Sequence, residues 1–411
     1  MSSGKSIRLK HVARIRISNV DKKSIEGQAP VRLCNYTDVY YNEVITDSLP
    51  FAPATATPEQ IREFSLLEGD VLITKDSETP EDIAVTALVD TSLPQIVCGY
   101  HLALLRPIRD RVNCRYLFWS LKSTAVRAQF SASATGVTRF GLRADAIGDV
   151  ELILPELEQQ RMIASFLDAE TTRIDQLATA MIRQVELLDI RRYAVVEQHL
   201  DSLRAKVKPL KYLASIVDTE HKTAPSVAGG GFWIAGTSSV RNGRLVHSEL
   251  YETDHRSYVE WTRRKEPKPG DVLLSREAPV GEVAIYRPDD PVIAIGQRMV
   301  LISADTSLVR PDYLLWALLS DRTKKFTCLA TQGSLHPHLN MGDIGSIPIR
   351  WVPLDEQETI LNRIEDDVEE IETLRSTRRR MLALLAERRQ ALITVAVTGE
   401  IDVTTVRRGA I

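Results

Sequence analysis

The residues able to do chemistry on their own are few and scattered. Gly4-Lys5-Ser6 has the ending of a phosphate-binding loop, but that loop needs an earlier glycine and a preceding strand, and the chain leaves no room for either. The glycines at 229–231 lack the GxGxxG spacing, and no ribose-binding carboxylate follows at the right distance. Asp254, Glu266 and Lys268 loosely imitate a metal-dependent nuclease. Glu266 and Lys268, however, alternate with Pro267 and Pro269 ahead of Gly270, and a proline-rich turn cannot hold metal ligands on a strand. His336 and His338 sit two apart beside Asn340, which is an incomplete metal set. Cys34, Cys98, Cys114 and Cys328 form no CxxC pair, so neither a zinc site nor a disulfide framework is expected, and a reducing, cytoplasmic setting fits. The sequence therefore reads as a non-catalytic chain with no cofactor or metal of its own.

What remains is a set of polar loops, and they occur twice. Leu9, Lys10, Ala13 and Ile15 recur as Leu210, Lys211, Ala214 and Ile216, each 201 positions on. Gly69-Asp70-Val71-Leu72 recurs as Gly270-Asp271-Val272-Leu273 at the same offset. After a four-residue slip the offset is 197: Gly99 matches Gly296, Tyr116 and Trp119 match Tyr313 and Trp316, and Gly136, Leu142 and Ile147 match Gly333, Leu339 and Ile344. Pro155, Glu158 and Gln159 then match Pro353, Glu356 and Gln357 at 198. An ordered series broken only by small slips points to a duplicated unit of about 200 residues, far longer than a solenoid repeat.

Each copy has two parts. A β-rich head with short β-branched strands (71–74, 272–275) and Gly-Asp turn signals spans 1–155 and again 207–352. After it, 156–206 and 353–411 change character, and no Gly or Pro interrupts 156–206 or 354–397. Ile163, Phe166, Leu167, Ile174, Leu177, Met181, Val185, Leu188 and Val195 make an apolar stripe in the first stretch; Ile360, Ile364, Ile371, Leu374, Met381, Leu385 and Leu392 make one in the second. Two long helices with one stripe each most simply bury those stripes on each other. The fold class expected is α+β: two β-rich heads joined by a pair of long antiparallel helices, with an internal pseudo-twofold repeat. A helix of about 44 residues is about 66 Å long. Two related but diverged heads on such a spacer suit a ligand with two separated sites, as double-stranded DNA offers.

The post-proline segments carry a resemblance. PELEQQRMIASFL from Pro155, PLDEQETIL from Pro353, and the ending Thr398-Gly399-Glu400-Ile401-Asp402 resemble the conserved helices of type I restriction–modification specificity subunits. The two GDVL strands and the glycine loops at 135–139 and 331–340 resemble that family's target recognition domains. The resemblance covers essentially the whole chain and implies a subunit without catalysis of its own. Its first head would read one half of a bipartite, asymmetric DNA target and its second head the other. Its helices would set the gap and dock two methyltransferase subunits, with restriction/translocase subunits joining them. S-adenosylmethionine and ATP with magnesium would belong to those partners. A non-catalytic scaffold with two protein-binding heads on a helical rod is the alternative reading.

Base reading needs side chains with paired donors or acceptors. In the glycine loops these are Thr135, Thr138, Arg139 and Arg143, then Gln332, Ser334, His336, His338 and Asn340. After the GDVL strands come Lys75 and Asp76, then Arg276 and Glu277. Earlier loops add Asn35, Tyr36 and Thr37, then Thr237, Ser238 and Ser239. Trp119 and Trp316 read as core. Glu158, Gln159, Glu356 and Gln357 suit the first turn of each helix, as dipole compensation or partner docking; Arg378 and Arg379 suit a solvated or partner-binding face. Net charge is −3, yet the heads hold 36 of the 52 basic residues, so a modest charge does not exclude DNA if partners share the phosphate grip. No apolar run of about 18 residues exists to cross a membrane. If the helices act as a ruler, inserting one turn of about four residues within 174–190 lengthens the gap in the recognised sequence by about one or two base pairs. Sequencing methylated sites in cells checks this; reduced methylation at an unchanged spacing counts against a ruler.

Overall fold

The structure, a computed structural model, describes residues 4–201, 205–331 and 337–403. The chain forms two compact units, 1–181 with 380–411 and 182–379. Each unit contains one head, the start of one long helix and the end of the other. The two long helices are Leu157–Asp201 and Leu354–Thr398.

In the first unit a five-stranded sheet runs in the order Ala13–Ile17, Leu102–Pro107, Val71–Thr74, Thr86–Val89, Val44–Ile45. A four-stranded sheet beside it contains Ala29–Cys34 and Leu93–Cys98 as its central, parallel pair. The second unit repeats the plan with Ala214–Asp218, Met299–Ala304, Val272–Ser275 and Val283–Ile285 in one sheet and Phe232–Ala235 central in the other. Every residue of Val71–Thr74 and Val272–Ser275 is buried, which is why these strands read as continuous apolar runs without alternation. The GDVL aspartates close the preceding turns: Asp70 accepts from the Leu67 amide at 2.8 Å and Asp271 from the Lys268 amide at 2.8 Å.

Each head has a core of its own residues and a second one that extends into the long helices. In the first unit this second core continues into Ile163, Phe166 and Leu167 at the start of the first helix and Ile393, Ala396 and Val397 at the end of the second. In the second unit it continues into Val196 and Leu200, and into Ile360, Leu361 and Ile364. Within the second unit Asp189 faces Arg375 (2.9 Å), Arg192 faces Glu372 (3.6 Å) and His199 faces Asp367 (2.7 Å), so the helices run antiparallel there. The first unit's Arg389–Asp175 contact (3.0 Å) is the counterpart of Arg192–Glu372, with the two helices exchanged. Trp119 and Trp316 are core residues, and each carries one of these guanidiniums near its ring, Arg389 at 5.7 Å and Arg192 at 5.2 Å. The duplication has diverged with compensation: Arg115–Asp90 (2.8 Å) in one head answers to Asp312–Arg287 (2.5 Å) in the other, the polarity reversed.

The stripes are buried unevenly: Ile174 (4% exposed) and Ile371 (2%) are buried as expected. Leu177, expected in the stripe, is 47% exposed, and Met381 is 38% exposed. Toward the end of the first helix the buried face holds Arg192, Val196 and Leu200, while Val195 is only half-buried.

The join between head and helix corrects the sequence alignment. Gln160 is 1% exposed: its Oε1 accepts from the Asn113 amide (2.8 Å), and its Nε2 donates to the carbonyls of Pro155 (2.8 Å) and Arg111 (3.3 Å). Gln357 is fully buried and does the same with Arg310 (2.8 Å), Val352 (2.7 Å) and Leu308 (3.0 Å). The partners correspond at an offset of 197, so Gln160, not Gln159, is the counterpart of Gln357. The apparent step to 198 came from the neighbouring Glu-Gln and Pro residues, which shift by one without the backbone shifting.

Replacing Gln160 by alanine removes the partner of one backbone amide and two carbonyls; replacing Gln357 does the same for the Arg310 amide and the Val352 carbonyl, while the Leu308 carbonyl keeps the Trp351 indole N–H at 2.8 Å. The expected cost is about 2 to 4 kcal/mol, read as a lowered denaturation midpoint of the full chain, with Q159A near wild type as the control. Equal effects of Q159A and Q160A would contradict the assignment.

Candidate nucleic-acid interface

The candidate loops of the first head converge. The glycine loop is a tight hairpin: Thr135 and Gly141 exchange backbone hydrogen bonds of 3.1 and 2.9 Å. Gly136 (φ +146°) must be glycine there, since a Cβ would come within 1.9 Å of the Arg139 carbonyl. Phe140–Gly141 pairs with Asp76–Ser77, and the Leu142 amide donates to the Lys75 carbonyl at 2.8 Å, so the hairpin is seated on the segment after the GDVL strand. Thr138 and Arg139 at its tip are exposed, as are Thr135 and Arg143; Arg143 pairs with Asp145 at 2.8 Å. Tyr36, Thr37, Asp76, Thr138 and Arg139 line one cleft of 560 Å³. Tyr36 stacks on Tyr40, with ring centroids 5.4 Å apart, and Asn35 opens their helix, its amide donating to Asp38 at 2.7 Å.

Asp76 is the electrostatic centre of this face. Its Oδ2 takes Lys75 Nζ at 2.9 Å and His101 Nδ1 at 2.7 Å. Burial pushes its carboxyl up, but the bonds from His101 and Lys75 outweigh this and hold it below the usual carboxylate range.

The second head repeats the arrangement with other residues. The Leu339 amide donates to the Arg276 carbonyl at 2.8 Å, as Leu142 does to Lys75. Arg298 occupies the place of His101: its carbonyl accepts from the Arg276 amide (2.9 Å) as His101's does from Lys75 (3.0 Å), and its Nε lies 2.8 Å from Glu277. Arg276 is largely buried and held by Asp218 at 2.8 Å. Thr237 and Ser238 are half-exposed, whereas Ser239 is buried and bonded to the Glu249 carbonyl at 3.0 Å. Gln332, Ser334 and His336 lie outside the described residues. His338 and Asn340 are exposed, but Asn340 Oδ1 accepts the Asp343 amide (2.9 Å) and caps the helix Met341–Ser346. With that oxygen engaged, Asn340 is not a free paired reader of adenine, which corrects the expectation.

Among the partner candidates, Glu158 and Glu356 are exposed and Gln159 half-buried in the first helical turns. Gln357 is corrected: its amide is spent on its own head and offers nothing to a partner. Arg379 is exposed and Arg378 half-exposed. His101, Arg298 and Asp218 were missed. The sequence signal was present, because His101 and Arg298 each stand two residues after the matched Gly99 and Gly296.

No group of three or more His, Cys, Asp or Glu residues suits a metal among the described residues. The residues imitating a nuclease are structural: Asp254 accepts the Ser257 amide at 2.8 Å, opening a helix, and Glu266 accepts the Tyr258 hydroxyl at 2.7 Å. No helix among the described residues is long and apolar enough to cross a membrane.

Comparison with known proteins decides the family. The family model for the type I restriction modification DNA specificity domain matches residues 6–187 and again 227–379. The chain belongs to that family. The two matches are the two copies of the repeat. A chain from Methanocaldococcus jannaschii described as a type I restriction enzyme MjaX specificity subunit is 23% identical over 370 residues, covering 84% of this chain and 82% of that one. The Escherichia coli type I restriction enzyme EcoBI specificity subunit is 20% identical over 355 residues, covering 78% and 74%. Among solved structures, a chain of a type I restriction–modification system described in terms of complex assembly and conformational transition shares the fold. Its TM-score is 0.72 at 17% identity over 98% of this specificity subunit and 99% of its own length.

Because its bonded form is the ionised one, Asp76 stabilises the fold above the ordinary carboxylate pKa, and that contribution is lost as pH falls below it. D76N is expected to lower stability by about 1 kcal/mol at pH 7, and the gap is expected to shrink as pH falls from the ordinary carboxylate range through the lowered pKa of Asp76. Unfolding curves at pH 7 and across the acid range check this; a gap that stays constant down to the most acid pH would contradict it.

Proposed function

We propose that this chain reads a bipartite, asymmetric sequence in double-stranded DNA, one half with each head, for a type I restriction–modification complex. The observation that carries the reading is the duplicated loop assembly. In each head the residue closing the glycine loop (Leu142 or Leu339), the segment after the GDVL strand and the turn after Gly99 or Gly296 are tied together by the same backbone bonds, while the side chains beside them differ. One scaffold with two sets of polar side chains is what two unlike half-sites require.

Asn35, Tyr36, Thr37, Lys75, Asp76, Thr135, Thr138, Arg139 and Arg143 are the proposed DNA-facing set of the first head. Thr237, Ser238, Arg276, Gln332, Ser334, His336, His338 and Asn340 are that of the second, Asn340 through its amide nitrogen, since its oxygen caps a helix. Exposed cations on these loops supply phosphate contacts, and the near-neutral charge of the chain fits a complex whose other subunits share that grip.

The helices are proposed to space the heads and to dock two methyltransferase subunits, with restriction/translocase subunits completing the assembly. Methyl transfer and ATP-dependent steps, with S-adenosylmethionine, ATP and magnesium, then belong to those subunits. Beyond the charged candidates, the helices carry outward apolar side chains suited to partners: Met162, Leu177, Ile182, Leu187, Ile190 and Leu384 are each 38% to 64% exposed.

The test is methylome sequencing of cells expressing the chain with its methyltransferase partner. A bipartite motif of N6-methyladenine is expected, and replacing 207–352 with the head of a relative changes one half of it. Absence of any bipartite motif, or change in both halves after the swap, counts against the proposal.

A further inference from the structure

Arg298 stands out within the second head by its backbone, its contacts and its exposure together. It is one of few described non-glycine residues with a left-handed backbone, at φ +71°. An arginine is disfavoured there, so the turn after Gly296 holds it against its own preference. Its side chain is 54% exposed, and the Nε edge of the guanidinium is taken by Glu277 at 2.8 Å. No other side chain among the described residues pairs with the two terminal nitrogens. A half-exposed guanidinium tethered on its Nε side by an ion pair keeps its terminal nitrogens available as a fork, the shape that meets N7 and O6 of guanine in the major groove.

Glu277 is 39% exposed on the face proposed to meet DNA. A bare carboxylate there would repel phosphate, so its presence is explained by the cation it orients. The first head keeps the slot and changes the occupants. Asp76 stands at the place of Glu277 and His101 at that of Arg298, 2.7 Å apart. His101 turns Nδ1 to Asp76, and its ring lies 3.7 Å from that of Tyr100, centroid to centroid. Its Nε2 has no partner among the described residues. The backbone of each of these two residues is fastened to the basic residue before the acid, His101 to Lys75 and Arg298 to Arg276.

Resting on the DNA-reading function above, we infer that Arg298 discriminates a guanine in one half-site and His101 discriminates a base in the other, with Glu277 and Asp76 bracing them. On this inference Asp76, although it lies on the DNA-facing surface, and Glu277 act as positioning residues and touch no base.

The experiment expresses the full chain with its methyltransferase partner and reads the methylated motif genome-wide. Wild type supplies the two half-sites. R298A is expected to make one G·C position degenerate, with discrimination there falling about 5- to 150-fold, and to leave the other half-site unchanged. R298K keeps the charge but not the fork, so it relaxes the same position; it carries the test if R298A does not fold. E277Q weakens discrimination at that position alone, and H101A relaxes a position in the opposite half. An unchanged motif in R298A or R298K overturns the inference. So does a loss of methylation spread evenly over all sites in variants that melt like wild type. A wild-type chain with no bipartite motif overturns the DNA-reading function itself, a different result.

Discussion

The buried glutamine clamp is the constraint on which the rest depends. Gln160 and Gln357 each sit in the first turns of a long helix and bond three backbone groups, two of them in a loop of the head. Strand, proline-containing link and helix are thereby held at one angle. A buried amide that spends both donor and acceptor in this way is stable only in one geometry, because any rotation of the helix strands polar groups away from water. The apolar contacts of the helices with the heads follow from that orientation and fill the remaining space.

Given that join, one of the two main cores of each head is incomplete by itself. Residues from both long helices finish it, so the loops at the candidate interface hang from strands braced by helix ends. This explains why the loops can differ so far between the heads. The backbone ties from Lys75 to Leu142 and His101, and from Arg276 to Leu339 and Arg298, are independent of side-chain identity. Reading residues can therefore change without moving the scaffold. Compensated changes such as Arg115–Asp90 against Asp312–Arg287 show the same freedom at the surface, where an ion pair contributes little in either polarity.

The duplication, the β-rich heads and the long helices were legible in the sequence because they are written in periodicity: GDVL turns, glycine loops and an uninterrupted apolar stripe. Several candidate residues were also brought together, since Tyr36, Thr37, Asp76, Thr138 and Arg139 share one cleft although 103 positions separate the first from the last. What the sequence misjudged were residues of the right type in the wrong environment. Gln357 looked like a surface residue beside Glu356, and only its burial under the loop at 308–310 shows that it is a clamp. Asn340 looked like a base reader until its carbonyl oxygen was found capping a helix.

Spacing by itself determined that the chain is built from two copies of one plan, because repeats and stripes are local patterns that survive without coordinates; the post-proline segments added a resemblance to the specificity-subunit family. The tertiary structure alone decided which polar residues are free. His101 and Arg298 have no motif of their own; they matter because the turns after Gly99 and Gly296 lay them beside Asp76 and Glu277, across gaps of 25 and 21 residues. Whether a charged side chain is a brace, a clamp or a reader depends on which of its hydrogen-bonding groups are already used, and that is set by neighbours distant in sequence.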